Sequence, residues 1–113
     1  MMNHFSLSYF MAALLGAGAL ASGESLAAPE ARVHVVVIEG MQYTPATLEV
    51  RKGDTVVWQN KDPFPHTASA AGKVFESGSI DAGKSWKFIA NTTGRFAYFC
   101  AFHPTMKGTL EVK

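Results

Sequence analysis

A single cysteine, Cys100, in 113 residues excludes an intrachain disulfide, so any staple in this chain is of another kind. A charge of one dominant sign is also missing: ten Lys and Arg stand against nine Asp and Glu, a formal net charge of +1. The basic residues are scattered singly or as the pair Arg51-Lys52, without the stripe that a polyanion requires, which excludes nucleic acid as a partner. No apolar run after residue 28 is long enough to span a bilayer, and no segment shows a convincing helical period. Internal repeats and low-complexity stretches are absent.

What is there begins with an apolar leader. Met1 to Leu20 is apolar apart from Asn3, His4, two serines and a tyrosine, and Ser25-Leu26-Ala27 places small residues where a signal peptidase reads. Residues 1–27 are therefore expected to be a secretory signal, although Lys and Arg are missing from its start. Cleavage after Ala27 would deliver residues 28–113 to the periplasm as a single domain; the alternative is a retained membrane anchor, since the apolar run nearly suffices to span. A domain of that size sits near the limit at which one hydrophobic core is enough. In an oxidising compartment a lone exposed thiol is a liability, whereas a thiolate held by a metal is protected and adds binding free energy to the fold.

From Arg32 onward apolar and polar residues alternate, interrupted by glycine-bearing turns such as Arg51-Lys52-Gly53-Asp54, Asp81-Ala82-Gly83-Lys84 and Asn91-Thr92-Thr93-Gly94. This pattern predicts strands over 32–39, 47–51, 55–60, 66–70, 74–77, 84–90, 94–100 and 107–112, hence an all-β, Greek-key sandwich or barrel of seven or eight strands. In the strand from Thr55, Val56, Trp58 and Asn60 share one face; in the strand from Gly94, Phe96, Tyr98 and Cys100 do.

The chemistry is concentrated in Cys100-Ala101-Phe102-His103-Pro104-Thr105-Met106, where the cysteine is followed at intervals of three by a histidine and a methionine. Thiolate, imidazole and thioether are ligands that copper accepts, and a blue-copper centre needs one further histidine. Three others exist. His4 lies in the leader, and His34 reads as a residue on the polar face of the strand Arg32 to Ile38. His66 remains, in Asp62-Pro63-Phe64-Pro65-His66-Thr67, where two prolines stiffen the approach. A buried cysteine serving only as a small apolar residue leaves His103 and Met106 in the same loop unexplained. A thiol nucleophile with His103 as its base leaves Met106 without a role.

With those residues in view, the chain resembles the cupredoxins of the amicyanin and plastocyanin group. Gly53-Asp54-Thr55-Val56-Val57-Trp58-Gln59-Asn60 with Pro65-His66-Thr67, Phe75-Glu76-Ser77-Gly78, Gly83-Lys84-Ser85-Trp86 and Gly94-Arg95-Phe96-Ala97-Tyr98-Phe99-Cys100 carry the likeness. The short interval between His103 and Met106 is the amicyanin one. The resemblance implies one copper ion held by His66, Cys100, His103 and Met106, a Thr67 amide that donates to the Cys100 sulfur, and His103 emerging in an apolar patch with Pro104, Phe64 and Met41. It also implies a non-enzymatic, monomeric one-electron carrier that meets transient redox partners such as a dehydrogenase or a cytochrome; copper storage or delivery is the alternative. Thr67 stands where many relatives have asparagine, so the bonds that tie the two ligand-bearing loops together are expected to differ.

Overall fold

The computed structural model describes residues 30–113, so the expected signal segment and His4 lie outside the described residues. Eight strands follow in order: β1 (Val33–Ile38), β2 (Tyr43–Thr44), β3 (Thr47–Val50), β4 (Thr55–Asn60), β5 (Ser69–Ala70), β6 (Ser85–Ile89), β7 (Gly94–Cys100) and β8 (His103–Val112). A 3-10 turn, Ala71–Lys73, follows β5. Among the described residues no helix is long and apolar enough to cross a membrane.

The strands form two four-stranded sheets, ordered β2-β1-β4-β6 and β3-β8-β7-β5. Each sheet is mixed. β1 runs parallel to β4, with Val36 opposite Trp58, and β3 runs parallel to β8, with Val50 opposite Val112. Parallel neighbours cannot be joined by a hairpin, so the chain must cross between sheets, and that crossing makes the sandwich.

Alternation decides which side chains fill the gap between the sheets. Val56, Trp58 and Asn60 of β4 point inward, and so do Tyr98 and Cys100 of β7 and Met106, Leu110 and Val112 of β8. Trp58 is fully buried against Phe75, Tyr98 and Trp86, with ring centroids 5.3, 5.4 and 5.6 Å away. Among the described residues neither its indole N–H nor the Tyr98 hydroxyl has a partner in hydrogen-bond geometry. Burial pushes the Tyr98 phenol up to about 12, and the adjacent Trp58 indole offsets only part of the shift. Opposite Tyr98 in the ladder is Gly108, where any Cβ would run into the tyrosine ring. The turn after β3 closes through Asp54 N–H donating to the Arg51 carbonyl at 2.9 Å, with Gly53 at φ 98°, a backbone conformation that favours glycine.

The structure differs from the expectations at five points. The strand expected over 66–70 is cut to Ser69–Ala70, with His66 joined to Ile80 only by an isolated bridge. Residues 74–77 form no strand, because Glu76 alone bridges to Ser69 while Phe75 turns into the core. The last strand starts at His103, not 107, since Cys100 pairs with His103 across a tight turn. The two-residue β2 was not foreseen; it is too short to carry a period. His34 is also placed differently, because it shares the inward face of β1 with Val36 and Ile38. It sits at the open end of that face, half-buried, with its Nε2 2.8 Å from Asp54 Oδ2.

Candidate metal centre

His66 is placed by a loop without regular structure, so its position depends on side-chain bracing. Asn60, fully buried at the end of β4, holds both sides of that loop: its Nδ2 donates to the Phe64 and Ile80 carbonyls, both at 2.9 Å, and its Oδ1 accepts the Asp62 amide at 2.9 Å. His66 then exchanges backbone bonds with Ile80, at 3.1 and 2.7 Å.

Asp62 fixes the ring. Its Oδ2 lies 2.7 Å from His66 Nε2, and its two oxygens accept the amides of Gly40 at 2.8 Å and Met41 at 3.1 Å. Burial works against the carboxylate charge, but those amides and the imidazole outweigh it and hold the Asp62 carboxyl below its usual range. An ionised Asp62 accepts from Nε2–H, which leaves the lone pair on Nδ1. Nδ1 faces the Cys100 sulfur at 3.7 Å, and both residues are fully buried.

The sulfur has a second neighbour. The Thr67 amide donates to Cys100 Sγ at 3.4 Å, the bond that the resemblance implied. Thr67 Oγ1 accepts the Ala101 amide at 2.8 Å, so a hydroxyl ties the two loops together. The Tyr43 hydroxyl donates to the Thr67 carbonyl. Burial, reinforced by Cys100, Tyr98 and Glu76, pushes the Tyr43 phenol above its ordinary range and keeps it a donor.

β7 delivers Cys100, and the turn Ala101-Phe102 returns the chain so that β8 begins at His103. The His103 ring is half-buried, its centroid 5.5 Å from that of His66 and 6.3 Å from that of Phe64. Met106, one strand turn further on, is buried in the same core cluster as Cys100. Among the described residues, no three His, Cys, Asp or Glu donors converge on one point. The arrangement is a facing His66–Cys100 pair with His103 one ring away.

Above the pair lies an apolar cleft of about 360 Å³ lined by Met41, Phe64, Pro65, Phe102 and His103. Phe64 and Phe102 are 41% and 51% exposed. Pro104, expected in this wall, is exposed but does not line the cleft. A second cleft, of about 270 Å³, lies at the opposite end of the sandwich among Arg32, His34, Arg51, Asp54 and two glutamates. Its charges are of both signs and it holds no part of the donor set.

A family profile described as a cupredoxin-like domain matches residues 9–112. The chain belongs to the cupredoxin family. Amicyanin from Paracoccus versutus is 29% identical over 84 residues, 70% of this chain, and the match spans 64% of that relative's length. Amicyanin-alpha from Methylorubrum extorquens is 28% identical over 99% of this chain and 100% of its own. Among solved structures, a purple cupredoxin from Nitrosopumilus maritimus superposes with a TM-score of 0.68 at 26% identity, over 71% of this chain and 99% of its own. A methionine-to-alanine variant of amicyanin in its Cu(I) form gives 0.67 at 28% identity, over 79% of this chain and 88% of its own.

This cupredoxin is a blue copper protein with one copper ion. Its donor chemistry fits that metal: a buried soft sulfur, an imidazole nitrogen held toward it, a second imidazole and a buried thioether. Asp62, Asn60 and Tyr43 were given no role from sequence. A carboxylate four residues before a candidate histidine was the available signal, but Pro63 and Pro65 between them leave no regular spacing to say that the two side chains meet.

Proposed function

We propose that this cupredoxin is a one-electron carrier whose metal is held by His66 Nδ1, Cys100 Sγ, His103 and Met106, and that it is not an enzyme. The observation that carries this reading is a fully buried Cys100 with His66 against it, while His103 opens into an apolar cleft. Bound copper supplies the one-electron couple. The chain does the rest. Asp62 holds the His66 ring with Nδ1 toward the sulfur, Thr67 supports the sulfur, and four protein donors leave no position for water or substrate. Burial also argues against a thiol nucleophile, because a substrate has no approach to the Cys100 sulfur.

The rim formed by Met41, Phe64 and Phe102 suits a small, transient contact with a redox protein such as a dehydrogenase or cytochrome, since a carrier must release one partner to reach the next. Residues 28–113 would act in the periplasm as a monomer after cleavage at Ala27. Addition of Cu(II) should give intense thiolate-to-copper absorption in the visible, lost in Cys100→Ser, together with rapid reversible one-electron cycling. A colourless or redox-silent protein defeats the reading, and ready transfer of Cu(I) to a metal-free acceptor would favour copper delivery instead.

A further inference from the structure

Glu76 is an exposed residue outside the donor set, yet a continuous line of hydrogen bonds leads from it to the ligand loops. Its Oε2 accepts the Ser69 hydroxyl and the Gly78 amide, both at 2.9 Å. Ser69 Oγ lies 2.8 Å from Thr67 Oγ1, which accepts the Ala101 amide at 2.8 Å. Thr67 and Ser69 are each only 3% exposed, so water does not compete between the two hydroxyls.

The proton directions are forced. An ionised carboxylate only accepts, so Ser69 spends its O–H on Glu76 and can offer Thr67 only a lone pair. The Thr67 O–H must therefore point to Ser69, which turns a Thr67 lone pair toward the Ala101 N–H. Reversing any one hydroxyl would set two donors or two acceptors face to face. The fold itself does not depend on this line, because the same loop is closed independently: Ser77 N–H donates to the Ala68 carbonyl at 3.1 Å, Ala70 N–H to the Phe75 carbonyl at 2.9 Å, and the Ala68 amide to Ser77 Oγ at 2.8 Å.

We propose that Glu76 is a positioning residue for the copper site: its charge orients the Ser69 and Thr67 hydroxyls, which fix the Ala101-Phe102 turn and the Thr67 amide on the Cys100 sulfur, and so raises the reduction potential, because an N–H held on the sulfur draws charge off the thiolate and favours Cu(I). This rests on the ligand assignment above. Chains of hydrogen bonds in a low-dielectric interior polarise one another, whereas the field of an exposed charge acting through solvent is screened.

The test compares the native protein with Glu76→Gln, Ser69→Ala and the double variant, reading the reduction potential with copper bound and the Ala101 amide resonance without metal. Glu76→Gln keeps the side-chain shape and removes the charge. It should lower the potential by about 30–60 mV, a roughly three- to tenfold shift in the preference away from Cu(I), and move the Ala101 resonance. In the Ser69→Ala background both effects should fall by half or more, the non-additivity expected of neighbours in one network. An undiminished effect in that background, or a Glu76→Gln protein whose potential and Ala101 resonance are unchanged, overturns the proposal. If Ser69→Ala does not fold, Ser69→Cys replaces it, with its weaker donor expected to reduce the same two effects. A native protein that takes up no copper would defeat the ligand assignment instead, and the metal-free Ala101 resonance would still decide whether the relay exists.

Discussion

Replacing Asp62 by asparagine changes one oxygen into an amide and asks how much the brace around His66 is worth. Three N–H groups converge on the carboxylate: Gly40 on Oδ1, and Met41 and His66 Nε2 on Oδ2. Asparagine keeps one acceptor. In its better orientation the oxygen faces Met41 and His66, and the new NH2 meets the Gly40 amide, leaving a part-buried donor unsatisfied at a cost of about 1–3 kcal/mol. The two surviving bonds lose their charge assistance, about 1 kcal/mol each. The sum, about 3–5 kcal/mol, is a large share of the roughly 5–15 kcal/mol that typically separates a folded domain from its unfolded chain. Urea denaturation of the metal-free protein at neutral pH measures it directly.

The pH dependence supplies an independent check. Because the folded Asp62 carboxyl lies below its ordinary value of 3.8, its contribution is fully present above that value and is lost as pH falls through the folded one. Asp62→Asn should therefore flatten the acid limb of the stability curve and weaken copper binding about 10- to 100-fold, as loss of a ligand-orienting partner does. A variant within about 1 kcal/mol of the native protein, measured against the unsatisfied-donor cost, with its acid limb intact, would refute the reasoning.

Three further outcomes are expected. Asp54 is held at about 2 by the amides of Arg32 and Arg51 and then by His34, so its contribution is present above its ordinary 3.8 and lost as pH falls toward 2; thermal melts between pH 5 and 2 should show a shallower acid decline in Asp54→Asn than in the native protein. Gly108→Ala drives a methyl into the Tyr98 ring, and denaturant titration should show a loss of about 1–3 kcal/mol from overpacking. Phe102→Ala should leave the visible absorption unchanged while slowing electron exchange between two copies about tenfold, measured by NMR line broadening, the effect of removing an apolar anchor worth about 1–2 kcal/mol from a small contact.

Much of the fold could be read from the chain because a strand buried on one face has a period of two. The inward sets Val56, Trp58, Asn60 and Phe96, Tyr98, Cys100 emerged that way, and the structure keeps both. The interval from Cys100 to Met106 was legible for a related reason: a strand, a tight turn and a second strand place residues three apart at one end of a sheet. Where the period is broken the reading failed. Phe75 and Glu76 lie in a segment held by a bridge and an aromatic contact rather than a ladder, and β2 is too short to alternate.

By itself the sequence determined the fold class, the soft donors of one loop and the shortage of alternatives to His66, since composition and local spacing are properties of the chain alone. Only the tertiary structure decided which nitrogen of His66 faces the sulfur, that Asp62 grips the other, that Thr67 ties the two loops, and that Glu76 reaches them through two hydroxyls. Those are contacts between residues brought together by packing. Hydrogen-bond direction depends on distances of about 3 Å, and no periodicity in a sequence fixes distances across a core.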